Sequence, residues 1–300
     1  MKINIGKVYR PLSKGGLMKK FIILTESGAD LPLDLAKLNE IYVLPMHIIM
    51  DDKSYQDGSI AVTEVYDYYK RTKKIPTTSA INSNEYQCSF EKITKANPNC
   101  IIIHISYSSK ASCTYQNSLL GSEDMKNVYH VDSLSVSGGE AAIILKAAEL
   151  IKDHPDIEPD DLIEKIESFV ARARVSFIPG NLEYLRAGGR LSNPAYFGAT
   201  ILQLKPLIEI VDGKLIATKK YRGAMSRIAE KYINEFIDRY NMEKQQLYLL
   251  YSLGLEEHIK LRMEEIAKEK GFKEVIWIQT GCVISTHSGP GAIGIAGFEI

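Results

Sequence analysis

Residues 100–105 read CIIIHI, a run of apolar, mostly β-branched side chains interrupted by a single histidine. A half-exposed strand alternates apolar and polar residues. A run without alternation fits a strand covered on both faces, as in a parallel sheet flanked by helices. The polar stretch SYSSKASCTYQ follows at once. The same order recurs along the first half. FIIL at Phe21–Leu24 leads into TESGAD and a helix from Pro32, and a strand over Asn127–Val131 leads into DSLSVSGGE and an apolar helix over Ala141–Ile151. Ile41–Met50 reads as one further strand before the turn DDKSYQDGS. Thr63 is placed to cap a helix carrying Val65, Tyr66 and Tyr69 on one face, and KIPTTSAINS precedes a helix with Tyr86, Phe90 and Ile93 at helical spacing. Strand, polar turn and helix repeat at least four times. In such a fold ligands sit beyond the carboxyl ends of the strands, where the polar turns gather.

From Arg174 the texture changes. RVSFIPG reads as a strand, Pro194–Leu204 as an unusually apolar helix, and Asp212-Gly213 as a hairpin turn between two strand-like runs. An amphipathic helix over Ala224–Tyr240, the strand QLYLLYS, a helix ending at Lys270 and the strand EVIWIQT follow. The expected fold is α/β with two domains: a parallel-sheet domain over residues 21–174 and a mixed α/β domain over 175–300. Residues 1–20 are expected to form an N-terminal tail, with Met18 a candidate start.

Lys plus Arg number 37, as do Asp plus Glu, and no aromatic residues interleave with basic ones to stack bases. Nucleic acid is therefore not an expected partner. Cys88, Cys100, Cys113 and Cys282 form no C-x-x-C pair, which fits a reducing cytoplasm and gives no support to a metal site or a disulfide framework. No apolar run reaches the length of a membrane span, and the basic first residues lack the apolar core of a signal peptide. G-x-S-x-G, the phosphate-loop motif and H-E-x-x-H are all absent.

Two glycine-set polar turns lie far apart: LEYLRAGGRLS at Leu182–Ser192 and STHSGPGAIGI at Ser285–Ile295. With Thr77-Thr78-Ser79 and Ser106–Thr114 they make four sources of polar side chains. Any single hydroxyl here is explained as simply by capping the next helix, Thr77, Thr78 or Ser79 in one turn and Ser109 or Ser112 in the other. Arg186 suits a surface pair, and Arg190 suits a ligand. Taken together the turns would seat a carboxylate or phosphate through hydroxyls, backbone N–H groups and an arginine fork. His104 reads as a satisfied core residue. His47, His130, His154 and His258 lie outside these turns and receive no role.

The motifs also carry a resemblance. Thr25-Glu26-Ser27-Gly28-Ala29-Asp30-Leu31-Pro32, Tyr55–Gly58, Thr78-Ser79, Ser108–Gln116, Val131–Gly139, LEYLRAGGRLS, Leu204-Lys205-Pro206 and THSGPGAIGI resemble, in order and spacing, the motifs of the DegV family. The match covers essentially all of Phe21–Ile300. Glu26 stands for the usual Asp, Ala80-Ile81 for Gln-Pro, and Lys110 and Cys113 for glycines.

The resemblance implies a bacterial fatty-acid-binding protein of phospholipid metabolism, with a long-chain fatty acid in a buried tunnel and no other cofactor or metal. Its carboxylate would be held at Thr78 and Ser79, at Ser109 with Ser108 and Ser112 nearby, and at His287. Arg190, Arg222, Gly189, Thr286 and Gly289 would lie near the head group or serve kinase docking. The implied partner is a separate ATP-binding kinase subunit, so this chain would itself be no enzyme. Pro194–Leu204 is the first expectation for tunnel lining. Two other readings of the residues stand beside it: a hydrolase using Ser109 or Ser112 with His287 as base, and a phosphate or nucleotide binder built on the GGR and GPG turns.

Overall fold

The computed structural model describes residues 20–194 and 204–300. In the first half β1 (Lys20–Glu26), α1 (Leu33–Leu38) and β2 (Tyr42–Leu44) are followed by β3 (His47–Met50), β4 (Lys53–Gln56), α2 (Val62–Thr72), β5 (Thr77–Ser79) and α3 (Ser83–Ala96). Then come β6 (Cys100–Ser106), α4 (Thr114–Gly121), β7 (Val128–Asp132), α5 (Gly138–Asp153) and α6 (Pro159–Arg172). One sheet has the order β2-β1-β6-β7, every pair parallel. Ile102, Ile103 and Ile105 of β6 are fully buried, as the unbroken apolar run requires. Strand order reverses between β1 and β6, so their carboxyl ends open the crevice where such sheets take ligands.

Three local expectations are corrected. Ile41–Met50 is not one strand: Pro45 lacks an N–H and divides it into β2, in the parallel sheet, and β3, in a separate antiparallel sheet of order β4-β3-β5. Thr63 is not a cap, because α2 begins at Val62 with Ala61 at its N-cap. Thr77, Thr78 and Ser79 do not cap α3; they are β5, paired with His47–Ile49. Asn82 is the cap, its Oδ1 accepting from Glu85 N at 3.0 Å while Glu85 Oε2 accepts from Asn82 N at 2.9 Å.

The second half runs β8 (Ala173–Ile178), α7 (Leu182–Gly188), β9 (Leu204–Val211), β10 (Lys214–Arg222), α8 (Met225–Arg239), β11 (Gln246–Tyr251), α9 (Glu257–Glu269), β12 (Glu274–Gln279), α10 (Cys282–Ser288) and β13 (Ile293–Phe298). Its sheet has the order β10-β9-β8-β13-β11-β12, and only β11 and β12 are parallel. Asp212 and Gly213 both adopt positive φ, 48° and 77°, as the tight β9–β10 hairpin demands. The helix expected over Pro194–Leu204, and with it the expected tunnel lining, falls on residues 195–203 outside the described residues; Leu204 already belongs to β9. Among the described residues no helix is long and apolar enough to cross a membrane.

Helix α5 is apolar on nearly every side because it lies between the two sheets. One core cluster joins Ile103, Ile105 and Val131 of the first sheet to Ala141, Ile144 and Ala147 of α5, and on to Val175, Leu250, Ile278 and Ala296 of the second. We propose two domains, residues 21–174 and 175–300, with α5 as the shared core; the chain crosses between the sheets through α5 and α6, so residues 173 and 174 already belong to β8 of the second sheet. The helix comes so close to the second sheet that a Cβ on Gly139 would lie 2.2 Å from Val175 Cγ2 and 2.4 Å from Ser135 Oγ.

Gly139→Ala separates two effects of opposite sign. Helix propensity alone would stabilise the variant by about 1 kcal/mol, whereas overpacking against a β-branched strand residue costs roughly 1–3 kcal/mol. Packing should win, so urea unfolding should show a lower midpoint for Gly139→Ala than for the parent.

Candidate functional site

The histidine of the GPG turn is placed by a helix whose first turn is held from the other half of the chain. Gly281 N donates to Asp30 Oδ1 at 2.7 Å and Cys282 N to Asp57 Oδ1 at 2.9 Å, so two carboxylates meet the exposed N–H groups of α10. Burial pushes both carboxyls above their ordinary range, most strongly Asp30, against the lowering effect of these hydrogen bonds. Ser137 Oγ donates to the other oxygen of Asp30. The expected open turn at Ser285–Ile295 is therefore helix to Ser288, then Gly289-Pro290-Gly291, then β13. Gly289 closes the helix at φ 71°, its N–H bonded to Ser285 O and its carbonyl accepting from Ser252 Oγ at 2.6 Å.

His287 lies in the last turn of α10, half-buried. Its Nε2 is 2.9 Å from Thr78 Oγ1. Its covered Nδ1 has no hydrogen-bond partner among the described residues and packs on Gly188, where an added Cβ would sit 2.1 Å away. This explains the first glycine of the GGR turn: only a residue without a side chain lets α7 close on the ring. Gly189, at φ 63°, ends α7, and exposed Arg190 turns back to donate to Gly188 O at 2.6 Å. Burial first, and the nearby Arg190 charge second, lower the His287 pKa to about 4. The ring is neutral near pH 7.

The serine-rich turn follows β6 at the crevice. Asp132 Oδ1 accepts from Ser109 N at 3.1 Å and Leu134 N at 3.0 Å, which fixes the turn. Ser108 Oγ donates to Gly213 O at 2.7 Å, locking the turn to the β9–β10 hairpin. Ser112 Oγ is 2.6 Å from Thr114 Oγ1 and accepts from Thr114 N just ahead of α4, whose N-cap is Cys113 and not the expected Ser109 or Ser112. Of the three serines expected near a carboxylate, Ser108 and Ser112 are thus engaged, and Ser109 Oγ is not held by protein among the described residues. Ser79 is exposed and alternates with Thr78 on β5, its hydroxyl turned to Ala80 O. Thr286 Oγ1 back-bonds to Cys282 O at 2.8 Å. The structure does not bring Arg222 to the seat. It pairs with Leu204 at the far end of the hairpin, roughly 23 Å along β10 from Leu215, which bridges to Leu191 beside Arg190.

Behind His287 opens a narrow slot between α10 and the second sheet, in which about 50 Å³ is open to the centre of a water-sized sphere. Tyr107, Val136, Val175, Phe177, Leu215, Leu250, Ile284 and Ile293 give it walls that are almost wholly apolar. The composition of each segment hid this slot from the sequence, since its walls come from strands that read as ordinary core. The sequence also left the roles of Asp30 and Asp57 unassigned, although both stand in the quoted motifs. Glu26, in place of the usual Asp, accepts from Tyr86 Oη, from His104 Nε2 at 2.6 Å and from Tyr107 N at 2.9 Å. His104 is the satisfied core residue expected, and His130, unassigned in the sequence, meets it nearly perpendicular, with Nδ1 2.9 Å from His104 Nδ1.

The contact that a serine hydrolase needs is not formed. His287 Nε2 faces Thr78 rather than Ser109 or Ser112, and Nδ1 lacks an acidic partner to orient the ring.

An unfolded chain protonates His287 near pH 6.5, whereas the folded chain does so only near pH 4. Between these values the unfolded state binds more protons, so stability falls as pH falls. His130, lowered to about 3 by burial and by His104, acts in the same direction. The raised carboxyls of Asp30, Asp57 and Glu140 act in the opposite direction, so the test is the difference between variant and parent. On going from pH 6.5 to 4, His287→Gln should gain stability relative to the parent by roughly 1–3 kcal/mol, read from urea unfolding.

The DegV family model, described as an uncharacterised protein of the DegV family, matches residues 20–299. A DegV domain-containing protein of Caldanaerobacter subterraneus subsp. tengcongensis is 30% identical over 282 residues, which are 93% of this chain and 98% of that protein. A Thermus thermophilus structure, described as fatty acid binding of a DegV family protein, aligns with a TM-score of 0.83 at 24% identity, covering 94% of this chain and all of that one. The Bacillus subtilis structure described as DegV, a fatty acid binding protein, aligns at 0.78 with 25% identity, again over 94% and 100%. From its motifs, its matched length and its fold, this chain belongs to the DegV family.

Proposed function

We propose that this chain binds a long-chain fatty acid, its tail in the slot and its carboxylate at Thr78, Ser109 and His287. The observation that carries the reading is a neutral hydroxyl–imidazole pair at the edge of a narrow apolar slot. An unbranched tail gains roughly 0.8 kcal/mol per methylene on leaving water, so such walls supply affinity without chemistry. A carboxylate accepts hydrogen bonds and donates none. With His287 Nε2–H donating to Thr78 Oγ1, the Thr78 hydroxyl is free to donate to the ligand. The Thermus thermophilus and Bacillus subtilis proteins, described as fatty acid binding, support the same reading.

Organic extraction of the denatured protein followed by mass spectrometry should yield a stoichiometric fatty acid. In titrations of the delipidated protein, Thr78→Val and Ser109→Ala should each weaken binding about tenfold or more, the worth of a hydrogen bond to a charged group, while Ser112→Ala should not. A clean extract from protein that also refuses oleate and palmitate overturns the proposal.

We also propose that the bound carboxylate is presented, in the cytoplasm, to a separate kinase subunit that binds ATP. Transfer of the γ-phosphoryl group to a carboxylate oxygen would give the acyl phosphate and ADP. The missing phosphate loop and the exposed Arg186 and Arg190 beside the seat support a partner's ATP site docking here. Loaded protein with ATP alone should give no hydroxamate on trapping with hydroxylamine; adding a fatty acid kinase subunit from a bacterial relative should give one. Hydroxamate without the kinase overturns this step.

A further inference from the structure

The slot contains a buried serine hydroxyl that has no partner among the described residues. Ser288 is 4% exposed, lines the slot, and its Oγ has no hydrogen-bond partner. The other serine and threonine hydroxyls on these walls are occupied. Ser137 donates to Asp30, Ser252 bridges Gly289 O and Ala292 N, and Thr280 pairs with Ser285. Within the same helix Thr286 shows the ordinary solution for a buried hydroxyl, a bond to the carbonyl four residues back, which Ser288 does not make. A buried hydroxyl without a partner is disfavoured, and an alanine or valine would suit apolar walls better.

We propose that Ser288 is a specificity-determining residue whose hydroxyl pairs with an oxygen carried on the acyl chain, so that the slot prefers a hydroxylated fatty acid to a plain one. This rests on the fatty-acid reading above. Ser288 follows His287 directly, and consecutive Cα atoms are about 3.8 Å apart. The matching oxygen therefore belongs near the carboxyl end and not in the distal half of the chain. A site with a buried polar group rejects the ligand that leaves it unpaired, which is how one hydroxyl discriminates between chains of equal length.

The test is calorimetric titration of the delipidated full-length protein with stearate, 3-hydroxystearate and 12-hydroxystearate. The parent protein should bind 3-hydroxystearate roughly tenfold or more tighter than stearate, with no such gain for 12-hydroxystearate. Ser288→Ala should abolish the preference and bind stearate at least as tightly as the parent, and Ser288→Thr, which keeps the hydroxyl, should retain the preference. Equal affinities in the parent, or a preference that survives in Ser288→Ala, overturns the proposal while leaving fatty-acid binding intact. Failure of the parent to bind all three acids overturns the fatty-acid reading and this inference with it.

Discussion

The site depends on two carboxylates of the first half holding the first turn of a helix in the second. A seven-residue helix has little stability of its own, since its nucleus is costly and its first N–H groups are unpaired. Asp30 and Asp57 meet those groups at Gly281 and Cys282, and their buried carboxyls are in turn stabilised by the N–H bonds and the positive end of the helix. Each side therefore needs the other. The far end is fixed by Gly289, so His287 sits in a helix pinned at both termini and cannot wander from Thr78.

The second constraint is the convergence of loops on that helix. Lys205 of β9 donates to Gly180 O at 2.6 Å, and Gly180 lies so near Pro290 that a Cβ would come within 1.9 Å of its carbonyl oxygen. The serine turn is held by Asp132 from below and by Gly213 from the hairpin. Ser137 takes φ 52°, ordinarily the province of glycine, and is kept there by its bonds to Asp30 and to Gly28 O. Such strain, supported on two sides, marks a backbone positioned for the cavity it lines.

The sheet architecture was legible because it rests on periodicity. CIIIHI and the Asp212-Gly213 turn mark a doubly covered strand and a hairpin, and both are formed. The break at Pro45 was missed because the apolar pattern runs through it, although the missing N–H was there to be read. For the site, Thr78 and His287 could be matched by motif, but their contact spans 209 positions and no local rule predicts it. Ser108, Ser109 and Ser112 are equivalent in sequence and separate only by what each hydroxyl meets among the described residues: a hairpin carbonyl, no partner, or a neighbouring threonine. Arg222 illustrates the converse. A strand conveys a residue away from a site as effectively as toward it, and the seven positions of β10 from Leu215 to Arg222 put that guanidinium out of reach.

The proposed seat is neutral, and that has consequences for what it can do. His287 is uncharged near pH 7, Thr78 contributes a hydroxyl, and the guanidinium of Arg190 is directed partly at Gly188 O. A buried arginine fork would hold a carboxylate by both oxygens and draw on all of its charge. Neutral donors leave more of that charge on the ligand, and oxygens not taken by the seat keep lone pairs for an incoming phosphoryl group. Affinity would then come mainly from the tail, which on this reading would be buried in the slot and would remain so whatever happens at the carboxylate. On the proposed reading this would separate retention from reactivity: the apolar walls would keep the acyl chain, while the polar end would be bound weakly enough for a partner to act on it.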